Sequence, residues 1–195
     1  MFDRSGECYS HPFDFHANPV DFIRLILTVS SPDCAAVGFD TRIYWEGNCR
    51  KFRTLDANQN PVVYSISDNK GRAYFARDSI RGRGTCCWKV KDAEGNEYIM
   101  KDQWVSLGRH PEHEFFSQIG ATPGVAEMIS FQIGPSVSKL RGIEDYANLG
   151  KQCYKLYFKD RTLNTVTFKY GGRPIYEFRT RGEVLFALRD AIKGV

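Results

Sequence analysis

The chain has 195 residues, 42% hydrophobic and 26% charged, enough for one packed domain with an extension and too apolar for wholesale disorder. Its formal net charge is +4, with no run of five or six like charges and no basic helix face, so the charge pattern argues against nucleic acid as a partner. The longest apolar stretch, residues 22–29, contains Arg24 and is too short to cross a membrane.

Residues 1–75 carry eight Lys and Arg against nine Asp and Glu, and residues 76–195 carry nineteen against fourteen. The positive bias of the second part suits an anionic ligand such as a nucleotide, or simply a mixed solvated surface. Aromatic residues reach 14%, with fourteen Phe and ten Tyr, which favours β-rich structure. The six cysteines, Cys8, Cys34, Cys49, Cys86, Cys87 and Cys153, form no C-x-x-C pair and no metal-ligand spacing with histidine. The polar, acidic start MFDRSGECYS is no secretory leader. Together these give the expectation of reduced thiols in a cytoplasmic or nuclear protein that is not secreted.

In chain order, Asn18 and Pro19 open the first element, with the cap and first-turn residues of a helix. Phe22, Ile23, Leu25, Ile26 and Val29 give it an apolar face, and Ser31 with Pro32 ends it; a buried strand is the other reading of this run. Three strands are expected at 42–46, 51–55 and 62–66, then three more at 73–80, 85–92 and 97–104. Ala93, Glu94, Gly95 and Asn96 form a hairpin loop between the last two. A helix is expected over 111–119, with acidic Glu112 and Glu114 in its first turn and Gly120 after it. Strand-like segments follow at 127–133, 155–158 and 165–170. A last helix starts at Thr180, where Thr180 and Glu183 make a capping box, and Val184, Leu185, Leu188, Ala191 and Ile192 form one stripe. That stripe is still running at the last residue, which gives the expectation of a shortened coding sequence.

The chemistry lies in the middle. Arg81, Gly82, Arg83, Gly84 and Thr85 form a turn whose glycines let backbone N–H groups approach phosphate oxygens. Lys101 shares a strand face with Ile99 and needs a carboxylate if that face is turned inward. Glu114 and Glu112 on the next helix are both available. A lysine held in this way binds the α- and β-phosphates of ATP. The histidines, His11, His16, His110 and His113, read as ordinary surface residues.

The segments RGRGTCCWKVKD and GNEYIMKDQW resemble the glycine loop and lysine strand of the fungal-specific protein kinases, a divergent branch of the protein kinases. DRSGECYSHPFDFHANPVDFIRLIL resembles that family's amino-terminal extension, GVAEMISF the strand after the first-lobe helix, KYGGRPIYEF the hinge, and LFALRDAIKGV the start of the helix leading to the catalytic loop. The resemblance implies an α+β fold: a kinase-like N-lobe of antiparallel sheet and one regulatory helix, preceded by an α/β extension and ending early in a C-lobe helix. It places the extension at 1–75, the N-lobe through the hinge at 76–178, and the C-lobe helix at 179–195.

On this resemblance Gly82 and Gly84 are the phosphate-loop glycines, Lys101 the ATP lysine and Glu114 its helix partner, with Glu112 as the alternative. Phe168, Lys169, Tyr170 and Gly171 line the adenine side of the hinge. Cys87 stands at the third loop glycine, and Ile99 replaces a small residue before the lysine. These departures imply ATP binding that is weak or lost. The sequence has no H-R-D catalytic loop, no D-F-G and no A-P-E, so no catalytic residue and no Mg2+ site is expected within it. The family activity implied is ATP-dependent phosphoryl transfer to protein Ser or Thr, with this chain inactive alone. The alternative is a non-catalytic binding module that docks on another kinase or on a C-lobe partner. Self-association is expected through Val184, Leu188 and Ile192.

Overall fold

A computed structural model describes residues 2–7, 12–67, 72–123, 125–143, 158–169 and 175–193. A short hairpin of β1 (Phe2–Asp3) and β2 (Gly6–Glu7) comes first, then α1 (Pro19–Val29). β3 (Ile43–Glu46), β4 (Cys49–Leu55), β5 (Pro61–Ile66), β6 (Phe75–Ala76), β7 (Cys86–Lys91) and β8 (Glu97–Ser106) follow. Next are α2 (Glu112–Ile119), β9 (Met128–Ser136), α3 (Val137–Leu140) and β10 (Arg161–Phe168). A 3-10 turn at Ile175–Glu177 leads to α4 (Arg181–Lys193). The fold is α+β, consistent with a kinase-like N-lobe.

One eight-stranded antiparallel sheet carries the structure, in the order β3-β4-β5-β7-β8-β10-β9, with β6 also paired to β7. β3, β4 and β5 therefore continue the same sheet as the lysine strand, while β1 and β2 pair only with each other. β5 takes one end of the β7 edge, where Ser65 faces Lys91 and Ile66 faces Val90. β6 takes the other end, where Phe75 faces Cys87 and Ala76 faces Cys86. Because two strands share that edge, the strand expected over 73–80 shrinks to two residues.

The sheet curls so that β4 reaches over β9, where the Thr54 hydroxyl donates to Gln132 Oε1 at 2.9 Å. The enclosed face holds the core: Phe52, Tyr64, Ile66, Val90 and Met100, with Ile43, Val62, Trp88 and Tyr98 packed against it. Three of the five buried residues of this cluster precede residue 76. Local turn chemistry sets the strand ends. Asp92 closes the β7–β8 hairpin by accepting from the Asn96 N–H at 2.8 Å and from its side-chain amide at 2.9 Å, while Gly95 takes a φ of 88°.

α1 is a helix and not the alternative strand. Pro19 occupies its first turn, and the Ser30 N–H closes it on the Ile26 carbonyl. The Asn18 side chain makes no cap bond and donates instead to the Asp14 carbonyl. α4 begins as its capping box predicts, with the Glu183 N–H donating to Thr180 Oγ1 at 3.2 Å; the Glu183 carboxylate in turn accepts from the Arg179 N–H at 2.7 Å. The four-residue helix α3, capped by Ser136, has no counterpart in the sequence reading. Of the strand expected at 155–158, only residue 158 lies within the described residues. Among the described residues, no helix is long and apolar enough to cross a membrane.

Candidate functional site

β8 alternates between two environments. Met100 and Asp102 point into the core, while Ile99, Lys101, Gln103 and Val105 share the opposite face, over which α2 lies. Two ring contacts hold α2 there: His113 stacks on Phe131 at 4.2 Å, and Phe116 meets Phe168 edge-on at 5.0 Å. His113 is therefore 7% exposed, which corrects its reading as a surface histidine; burial lowers its pKa below the ordinary value. His16 and His110 are exposed, and His11 lies outside the described residues.

This placement brings the first residue of α2 to the lysine. Lys101 Nζ donates to the Glu112 carboxylate at 2.7 Å, and Gln103 Nε2 donates to its other oxygen at 3.0 Å. Glu114, expected as the partner, instead pairs with His110 at 3.0 Å. The reason is helical geometry. Glu112 and Glu114 are two positions apart and face different sides of α2, and the side anchored by His113 and Phe116 presents Glu112 to β8. Gln103, two residues beyond Lys101 on the same strand face, completes the group and was missed in the sequence, although period-two alternation points to it.

The glycine turn lies beside this pair. The Trp104 N–H donates to the Arg83 carbonyl at 2.7 Å and ties the turn to β8. Cys87 is a strand residue directly across from Lys101, not a turn residue. Burial raises the Cys87 thiol against the pull of Lys101 and pushes Cys86 up to about 11, so neither is a thiolate at neutral pH.

The amino-terminal hairpin also meets the turn, a contact the sequence does not announce. Arg4 donates to the Ser79 carbonyl and, at 3.0 Å, to the Ile80 carbonyl, and its own carbonyl accepts from the Gly82 N–H at 3.1 Å. The Arg4 guanidinium fills the space where a Cβ on Gly84 would sit, and Gly84 has a φ of 50°. The positive φ favours glycine there, and any larger residue would also have to displace the end of the Arg4 side chain. The hairpin is anchored on its other side by Asp3, which accepts from Arg141 at 2.6 and 2.9 Å, and by Ser5, which donates to the Lys159 carbonyl at 2.7 Å.

Lys101, Glu112 and Gln103 open onto a cavity of about 780 Å³, whose walls also include Arg83, Arg109 and Arg161. Phe168 and Lys169, expected at the hinge, do not line this cavity. Phe168 is buried against Phe116, and Lys169 is exposed and paired with Glu127 at 3.2 Å. Tyr170 and Gly171 lie outside the described residues.

A sheet with a glycine turn, a strand lysine and a helix glutamate in ion contact is the arrangement expected of a kinase N-lobe. The family model described as fungal protein kinase matches residues 1–195, the whole chain. The chain belongs to that family. No curated protein matches it. Within the fungal protein kinase family, ATP is the cofactor implied, and a strand lysine beside a glycine turn is chemically suited to its phosphates. Lys101 is held by the Glu112 carboxylate at the edge of an open cavity, and the space around Gly82 is open.

Proposed function

We propose that this chain supplies the nucleotide-handling half of a protein kinase that transfers phosphoryl groups to Ser or Thr. The observation that carries the reading is the ion pair of Lys101 with Glu112, set by β8 and α2 at the mouth of a cavity. ATP, when bound, supplies the phosphoryl group. Lys101 binds its α- and β-phosphates, Glu112 with Gln103 fixes the ammonium in place, and Gly82 and Gly84 keep the covering turn free of side chains. No residue of this chain is proposed as a magnesium ligand or as the catalytic base.

Binding of ATP is weak in this reading, because Arg4 occupies the room at Gly84 and takes the Gly82 N–H. A titration is expected to give a dissociation constant weaker than micromolar, where well-enclosed sites bury most of the ligand. Losing a charged hydrogen bond removes about 1.5–3 kcal/mol, so Glu112→Gln is expected to weaken ATP roughly tenfold or more. Glu114→Gln leaves it unchanged. Equal effects of the two substitutions would remove Glu112 from its role.

We also propose that the 195-residue polypeptide does not transfer phosphate by itself, since its sequence holds none of the H-R-D, D-F-G or A-P-E motifs. Incubation with ATP, magnesium and a generic protein substrate is expected to give no incorporation above background. Incorporation that survives purification and disappears in Lys101→Met would show this to be wrong.

A second reading, a docking module, is favoured by α4. Leu188 and Ile192 are exposed on it and Val184 is half-buried, so this stripe is proposed as a self-association surface.

A further inference from the structure

We infer that the far wall of the cavity, beyond Lys101, is a separate binding site for a small phosphorylated anion, formed by Arg83, Arg109 and Arg161. The three come from different parts of the chain: the glycine turn, the connection between β8 and α2, and the first residue of β10. None has an ion pair among the described residues, whereas Lys101 is matched to Glu112 and Lys169 to Glu127. Lys159 is a fourth cation lining the cavity.

The carboxylates lining the cavity are already engaged. Glu112 accepts from Lys101 and Gln103. Asp160 accepts from the Ser138 N–H at 3.0 Å, the Ser138 hydroxyl at 2.6 Å and the Arg161 N–H at 2.9 Å. Arg161 is left with one long bond, from Nη1 to the Trp104 carbonyl at 3.4 Å, and its Nε is buried without a hydrogen-bond partner. Burial, and then the charges of Arg109, Arg81 and Arg83, lower the Arg161 guanidinium from its ordinary value. Like charges brought together around a concave surface repel one another unless an anion lies between them. Guanidinium forks match the paired oxygens of a phosphate group or a carboxylate, and several cations together favour the more highly charged phosphate. The cavity volume falls within the range of small-molecule sites. This site shares the cavity with the lysine but uses different cations, so it stands whether or not ATP binds at Lys101.

The test is calorimetric titration of the 195-residue chain with inorganic pyrophosphate at constant ionic strength. Saturable binding is expected, weakened about tenfold by Arg109→Ala and by Arg161→Gln, and altered less than about twofold by Lys91→Met, a cation outside the cavity. Arg109 is exposed on a connection, so its replacement leaves the fold intact, which thermal melting followed by circular dichroism verifies. Absence of saturable binding overturns the inference. So does binding that persists in Arg109→Ala but disappears in Lys101→Met, because the anion would then sit on the lysine.

Discussion

Replacing Arg42 with alanine is expected to destabilise the fold by about 3–5 kcal/mol, read as a lower urea midpoint with an unchanged slope. Arg42 stands just before β3, yet its guanidinium reaches Asp102 on β8 at 3.1 Å and the Thr165 hydroxyl on β10 at 2.6 Å. Asp40 holds the other side of the same guanidinium at 2.6 Å. Burial disfavours the charged guanidinium, but Asp40 and Asp102 outweigh it and raise its pKa. Asp102 is 8% exposed, and burial pushes its carboxyl up in spite of Arg42 and Thr165. Without Arg42 the carboxylate keeps only the Thr165 hydroxyl from this network. An uncompensated buried charge is far more damaging than the loss of a surface ion pair.

The pH dependence has a definite sign. A carboxyl whose pKa is raised in the folded state contributes stability that is present below its unfolded pKa and is lost as pH rises through the folded value. Arg42→Ala raises Asp102 further, so the deficit is expected to be largest near neutral pH and to shrink toward about pH 4. The paired change Arg42→Met with Asp102→Leu is expected to recover most of the loss. A single variant within about 1 kcal/mol of wild type would mean that water, not Arg42, satisfies Asp102.

Removing α4 is expected to change the state of association. Leu185, Phe186, Leu188 and Ile192 on this helix are exposed, and burying one such side chain is worth about 1.5–3 kcal/mol. A face of this kind drives association. In sedimentation velocity the 195-residue chain is expected to form dimers or larger species at micromolar concentration, while a version ending at Phe178 stays monomeric. α1 provides an internal comparison, because it carries Val20, Ile23, Leu25, Leu27 and Val29 with large exposure and is present in both versions. Equal association of the two would move the surface to α1, and two monomers would leave neither helix with this role.

The strands and helices were legible where pattern and turn chemistry agreed. Asp92, Gly95 and Asn96 announce the β7–β8 hairpin, and Thr180 with Glu183 announces α4. The lysine strand was legible because Lys101 shares a strand face with Ile99 and follows a glycine turn and a hairpin. What the sequence could not show were contacts between distant segments. Whether Glu112 or Glu114 meets Lys101 depends on how α2 is rolled, and that is decided by His113 stacking on Phe131. Arg4 lies more than seventy residues from the glycine turn it holds, and no local pattern links the two. The short β6 has the same origin, since β5 already pairs with the other end of β7. Asp102 lies in the GNEYIMKDQW segment that carries the family resemblance, but its task of receiving Arg42 could not be read there.

The shared core also determines when the protein can fold during synthesis. Phe52, Tyr64 and Ile66 leave the ribosome well before Val90 and Met100, the residues they pack against. Until the chain has passed β8, the β4–β5 hairpin has one apolar face and no second layer to cover it. Strand pairing over such separations is slow, and an unfinished sheet edge invites pairing with other chains. The amino-terminal third is thus a waiting half-sheet, and its safety during translation depends on how quickly the lysine strand arrives.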